Sequence, residues 1–281
     1  MPAEAKRVAL VIGQNSYKNL KSLSNSANDA KRMAALLRDN GFDVIGCGGN
    51  TPACIDQTRD GLQAALAALR TQTKDADLAL IFYAGHGLET GAGNVIVPID
   101  ATIDCPTMSV GNSVLVAELL AAATAKRSVI IVDACRDEPL GKNCPPLPVG
   151  KTLSFKKIEP GELRNLLLVT STQFGQQAQD GEAGKHSPFA EALFAALQAN
   201  PRVYFDQIIN QVAKDTYESV LKDYKGFKQI PGRVVGGEAP ADCLAGRDCV
   251  GDIRMSALAG QLETLAAESK AAQTDAAASA P

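Results

Sequence analysis

The stretch Leu78-Ala-Leu-Ile-Phe-Tyr-Ala-Gly-His-Gly87 runs through six apolar residues and then stops on Ala-Gly-His-Gly. A strand that is apolar on both faces must be covered on both, which is the situation of a parallel sheet packed between helices. The pattern recurs on either side of it. Val8-Ala-Leu-Val-Ile-Gly13 precedes it, and Ser128-Val-Ile-Ile-Val132 and Leu166-Leu-Leu-Val169 follow. Helical periodicity fills the intervals: residues 27–40 carry Ala30, Met33, Ala34, Leu36 and Leu37 on one face with Gly41 as the stop, and residues 60–69 carry Leu62, Ala65, Leu66 and Leu69. Residues 42–45 read as another strand and residues 94–97 as a short peripheral one. Residues 115–124, 188–198 and 203–221 have helical spacing, and the second of these opens with Ser187 as N-cap and Pro188 at the first helical position. Strands alternating with helices predict an α/β fold, a three-layer α/β/α sandwich around a mostly parallel central sheet.

The compact domain is expected over residues 1–250. Glycine and proline between residues 226 and 245 read as irregular structure. Residues 253–268 have helical character, and residues 269–281 are an Ala/Ser/Gln/Thr tract, so residues 251–281 stand apart as a C-terminal helix and Ala-rich tail or linker. Basic and acidic side chains number 28 and 31, a formal charge of -3, so no net field favours nucleic acid or an anionic membrane. The longest apolar runs, such as residues 76–84, fall far short of the roughly 20 residues that span a bilayer. Residues 1–5 have none of the features of a signal peptide. A peptide or small-molecule partner is expected instead. Of the seven cysteines, setting Cys135 aside leaves three neighbouring pairs: Cys47 with Cys54, Cys105 with Cys144, Cys243 with Cys249. These fit three disulfides in a periplasmic or secreted protein, and they equally fit reduced, buried thiols in a cytoplasmic one.

Chemistry is expected where small, polar and reactive residues sit at the ends of buried strands, since open α/β sheets bind ligands there. In Tyr83-Ala-Gly-His-Gly87 the glycines leave nothing bulky beside the imidazole. In Asp133-Ala-Cys-Arg-Asp137 a cysteine follows an apolar strand and lies among charged groups. A thiol becomes a strong nucleophile when an adjacent imidazole takes its proton. If the two strands are neighbours, His86 and Cys135 share one rim of the sheet despite lying 49 residues apart (86 to 135). Cys135 is then the nucleophile and His86 its general base, and the backbone N–H groups of Gly87 and Cys135 form an oxyanion hole. His186 directly precedes Ser187-Pro188 and reads as a residue of the capping region. Gly13-Gln-Asn15 lacks the Gly-Lys-Ser/Thr or G-x-G-x-x-G context of a nucleotide site.

Over roughly residues 7–235 the sequence resembles the caspase-like cysteine peptidases, specifically the bacterial relatives of metacaspases and paracaspases called orthocaspases. The resemblance is carried by Val8-Ala-Leu-Val-Ile-Gly13, Leu23-Ser-Asn-Ser-Ala-Asn-Asp-Ala30, Tyr83-Ala-Gly-His-Gly87, Val97-Pro-Ile-Asp100, Asp133-Ala-Cys-Arg136 and Ser187-Pro-Phe-Ala-Glu-Ala-Leu193. It implies a caspase-like sandwich and a cysteine endopeptidase working through a Cys-His dyad. The caspase signature has glutamine two residues before the nucleophile, whereas this chain has Asp133. In metacaspase-like enzymes the matching acidic residues resemble Asp29 and Asp133. Two carboxylates in one pocket imply substrates with basic residues, cleaved after Arg or Lys.

Two positions depart from the family pattern. Ala84 stands where many metacaspases have serine, and Ser26 stands where many have cysteine. Calcium activates many metacaspases, but Asp100 and Asp104 stand in no EF-hand spacing, so no cofactor or metal site is expected and calcium activation has no motif behind it. Residues 136–157 form a Pro- and Lys-containing stretch where the wider family is cleaved between its subunits, and self-processing after a lysine is one expectation. A monomer is expected on the resemblance. The rival reading is a catalytically silent caspase-like interaction or signalling module, which a shared fold does not exclude.

Overall fold

The computed structural model describes residues 5–48, 51–104, 109–135, 165–173, 176–224, 227–238, 241–251, 261–262 and 264–268. In chain order the elements are β1 (Arg7–Gly13), α1 (Ser26–Asp39), β2 (Asp43–Ile45), β3 (Cys54–Ile55), α2 (Arg59–Thr73), β4 (Leu78–Thr90), β5 (Gly93–Ile96), β6 (Thr102–Asp104) and β7 (Ser109–Gly111). They continue with β8 (Val114–Leu115), α3 (Val116–Ala122), β9 (Arg127–Cys135), β10 (Leu166–Thr170), α4 (Pro188–Ala199), α5 (Phe205–Asp223) and β11 (Gly232–Gly236).

The main sheet runs β11-β10-β9-β4-β1-β2, with β3 on β1 and β5 joining β4 to β8. From β10 across to β2 every pairing is parallel, and β11 closes the edge antiparallel. Alternate residues of each strand go to opposite faces. Ala9, Val11, Leu80, Phe82, Val129 and Ile131 pack with α1, α4 and α5 in one core, through Met33, Leu37, Phe189, Leu193 and Ile208. Val8, Leu10, Ile12, Ile81, Ile130 and Val132 pack with α2 and α3 in the other, through Leu62, Leu66, Leu69 and Leu119. This is why the central strands are apolar without alternation, and it makes the three layers of the sandwich. Thr58 caps α2 by accepting from the Gly61 N–H, and Ser187 caps α4 by accepting from the Ala190 N–H.

The expected elements are all present where residues are described, with three informative differences. The strand expected to end at Tyr83 continues to Thr90, and the one expected to end at Val132 continues to Cys135, so both motifs lie on strands rather than in the loops beyond them. Residues 226–245 were expected to be irregular, yet Gly232-Arg-Val-Val-Gly236 forms β11 on the exposed edge of β10. Only two apolar residues mark it in sequence, and its stability comes from an antiparallel ladder that local sequence does not encode. The two-stranded ribbon of β6 and β7 was likewise not anticipated.

Disulfides join Cys47 to Cys54 and Cys243 to Cys249, two of the three pairs that sequence suggested. Cys105 and Cys144, the segment 136–157 and the tail 269–281 lie outside the described residues. Among the described residues no helix is long and apolar enough to cross a membrane. Leu10 is fully buried, while Leu221 is 44% exposed. Replacing Leu10 with alanine should cost about 2–5 kcal/mol in chemical denaturation, and the same change at Leu221 should stay within about 0.5 kcal/mol.

Candidate active site

Parallel pairing of β4 with β9 sets Ala84 opposite Asp133, Gly85 opposite Ala134 and His86 opposite Cys135. Residues far apart in the chain thus become lateral neighbours at the carboxyl ends of two adjacent strands. On the other edge of β4, β1 ends at Gly13, opposite Ala84, and the chain leaves it in a loop that folds over His86.

That loop is held by its own hydrogen bonds. The Asp56 carboxylate accepts from the N–H groups of Asn15 and Ser16 at 2.7 and 3.0 Å, and Gln14 and Gln57 exchange two bonds. The loop brings Tyr17 and Lys21 to the histidine. Tyr17 accepts from the His86 backbone N–H at 2.7 Å, and its ring stands 4.6 Å from the imidazole, centroid to centroid. From within β4, the Tyr83 hydroxyl donates to the His86 carbonyl at 2.6 Å. His86 is therefore fully buried, contrary to the expectation that its flanking glycines leave it unshielded; a tyrosine distant in sequence covers it. Gly85 is what lets the two hydroxyls converge. A Cβ there would lie 2.5 Å from the Tyr83 hydroxyl and 2.8 Å from that of Tyr17.

His86 Nε2 lies 2.7 Å from the Lys21 carbonyl oxygen. A carbonyl only accepts, so Nε2 carries the proton, and the neutral ring keeps its lone pair on Nδ1. The fixed tautomer makes Nδ1 the basic atom of the ring.

The two expected pocket carboxylates are both buried and come together at the start of α4. Asp29, on the first turn of α1, is 1% exposed, and Asp133 is 2% exposed. Ser187 bridges them: its N–H donates to Asp29 Oδ2 at 3.3 Å, and its hydroxyl donates to Asp133 Oδ2 at 2.6 Å while accepting from Ala190. A third carboxylate, Asp180, is fixed by the Ser24 N–H at 2.8 Å and adds repulsion to both. Burial pushes the Asp29 carboxyl up to about 9, with the charge of Asp133 next in effect and the Ser187 N–H opposing. The helix dipole that favours an anion at this position is outweighed. Burial likewise pushes Asp133 up to about 6 against the pull of the Ser187 and Ser171 hydroxyls. Its Oδ1 is buried and has no hydrogen-bond partner among the described residues. Ala84, the expected departure, is buried in register with Asp133.

A family model for the caspase domain matches residues 6–235. The chain belongs to the caspase-domain peptidase family. Metacaspase-2 of Trypanosoma brucei brucei is 34% identical to it over 95 residues, which is 32% of this chain and 27% of that protein. The match thus spans about a quarter of that relative's length. Among solved structures, a Geobacter sulfurreducens protein superposes with a TM-score of 0.58 at 16% identity, covering 88% of this chain and all of the other. Caspase-1 from Spodoptera frugiperda superposes with a TM-score of 0.56 at 14% identity, covering 84% and 88%. At these identities the superpositions speak for the fold, the α/β caspase sandwich described above.

The caspase domain adds five residues to those read from sequence: Tyr17, the carbonyl of Lys21, Asp180, His186 and Ser187 at the sites of His86, Asp29 and Asp133. The serine was legible as a helix cap, and nothing local betrayed its reach to Asp133. Among the described residues no cluster of His, Cys, Asp or Glu is arranged to hold a metal ion. Gly85→Ala forces apart the hydroxyls that anchor His86. In the peptidase proposed below it should lower turnover by about 100-fold or more, the scale of an ångström-sized misplacement, with the far-ultraviolet circular dichroism unchanged.

Proposed function

We propose that this caspase domain is a cysteine endopeptidase that cleaves protein or peptide substrates after arginine or lysine. The observation that carries the reading is the register that makes His86 and Cys135 lateral neighbours at the ends of β4 and β9.

In the proposed reaction His86 Nδ1 takes the proton of the Cys135 thiol as the sulfur adds to the substrate carbonyl carbon. The carbonyl electron pair moves to oxygen, where the backbone N–H groups of Gly87 and Cys135 receive it. His86 gives its carbonyl to the Val97 N–H on the antiparallel side of β4. By the alternation of such ladders Gly87 turns its N–H to the opposite edge, the one on which β9 lies. The tetrahedral species collapses with loss of the amine, which receives its proton from His86, and water hydrolyses the remaining thioester by the same route. Lys21 and Tyr17 are positioning residues. The Lys21 carbonyl holds the ring in the tautomer that leaves Nδ1 basic, and Tyr17 fixes the His86 backbone and packs against the ring.

The pocket reading is supported by two buried carboxylates with a third, half-buried one beside them, and by a buried Asp133 oxygen with no hydrogen-bond partner among the described residues. Burying like charges together is costly, and a guanidinium or ammonium group relieves that cost where an aspartate side chain would add to it. The domain acts as a monomer in this account.

Fluorogenic peptides ending in Arg, Lys or Asp separate the parts of the proposal. Cleavage is expected after Arg and Lys and not after Asp. Cys135→Ala should abolish it, and Asp133→Asn should raise KM for the Arg peptide about tenfold or more with a smaller change in kcat. Failure to cleave any of the three, with or without calcium, contradicts the peptidase reading and favours a silent module; cleavage after Asp contradicts only the pocket.

A further inference from the structure

The dipeptide that starts α4 holds the pocket from one side, and its first residue is a base. His186 Nδ1 lies 2.6 Å from Asp29 Oδ1, with 32% of its own side chain exposed against 1% for Asp29. The buried carboxyl group is thus bonded to a ring that reaches solvent. We propose that His186 is a residue of the substrate pocket, holding with Asp29 one shared proton while the pocket is empty, and that the basic side chain of the substrate displaces that proton. The inference rests on the basic-pocket reading above.

Charge balance carries the argument. The groups that act on the imidazole are Asp29 and Arg32 from α1 and Glu191 from α4, with the Phe194 ring edge-on at 5.2 Å. Asp133 on β9, Asp180 beyond β10 and Glu191 act on Asp29. Burial and Arg32 lower His186 while burial raises Asp29, so the pair keeps a single proton between Oδ1 and Nδ1 through neutral pH and is neutral overall wherever that proton sits. When an arginine or lysine side chain enters, one positive charge arrives beside Asp29 and one proton leaves through the exposed edge of the imidazole. His186 then stands neutral, its Nδ1–H donating to the ionised Asp29, which faces the substrate cation with its other oxygen. Proton and substrate compete for one carboxylate.

Competition of this kind weakens binding about tenfold for each pH unit below the midpoint of the shared proton and leaves it flat above. His186→Gln keeps a donor to Asp29 Oδ1 but cannot share a proton. The proton is then held less tightly, and the midpoint falls.

The test uses the Cys135→Ala protein, whose pocket binds without turnover, and a peptide carrying arginine before the scissile bond, with affinity measured by calorimetry from about pH 5.5 to pH 9. The midpoint should move down by about one pH unit in His186→Gln, so that at acid pH this variant binds up to about tenfold more tightly, while above the midpoint the two agree within about twofold. His186→Asn should reproduce the shift. Superimposable curves, or a uniform loss of affinity at every pH, overturn the proposal. If neither variant folds, the dependence of binding enthalpy on buffer ionisation heat decides for the unaltered pocket: release of about one proton supports the proposal and release of none overturns it. An aspartate peptide that binds as well as the arginine peptide overturns the pocket reading itself, whereas matched pH curves overturn this inference alone.

Discussion

Hydrogen-bond register between β4 and β9 is the constraint on which everything else in this molecule depends. It sets His86 level with Cys135 and Ala84 level with Asp133. A slip of one residue would send every side chain of β4 to the opposite face of the sheet. The slip is opposed from both sides, because Leu80 and Phe82 belong to one packed core and Ile81 and Tyr83 to the other. The apolar strands are therefore the device that fixes the geometry of the proposed catalytic pair, and the loop from β1 to α1 completes it by laying Tyr17 and the Lys21 carbonyl against His86.

The same sheet end carries a stability cost. Asp29 and Asp133 have carboxyl values raised to about 9 and about 6 from the ordinary 3.8. A group whose value is raised on folding contributes stability that is complete below its unfolded value and is lost as pH rises through the folded one. For this pair the loss runs from about pH 4 upward, through about 6 for Asp133 and about 9 for Asp29. Ionisation of the two carboxylates weakens the fold over the range in which the proposed pocket would take a cation. In that proposal function and stability pull apart, as they commonly do at sites built for charge.

Much of this was legible in the sequence because it is written locally. Apolar runs gave the central strands, and small or reactive residues at their ends gave His86, Cys135 and Asp133. Ser187-Pro188 announced the start of α4. The rest is written in no single stretch. Every residue has a carbonyl, so nothing distinguished that of Lys21 until the loop was seen folded over His86. Tyr17 reads as an ordinary aromatic in a polar segment, and the imidazole it covers was expected to stand open. β11 depends on a partner strand more than 60 residues away, and the contacts of His186 and Ser187 depend on α1 and β9 meeting at one helix start.

The central claim is that the strand register makes His86 the activator of Cys135. It is tested most directly by the rate at which iodoacetamide alkylates Cys135 at pH 7, with each modified cysteine located by mass spectrometry. In His86→Gln the rate at Cys135 should fall at least about tenfold while the rates at other reactive cysteines hold, since a thiol without its base is mostly protonated at that pH. Equal rates at Cys135 in the two proteins would contradict the account.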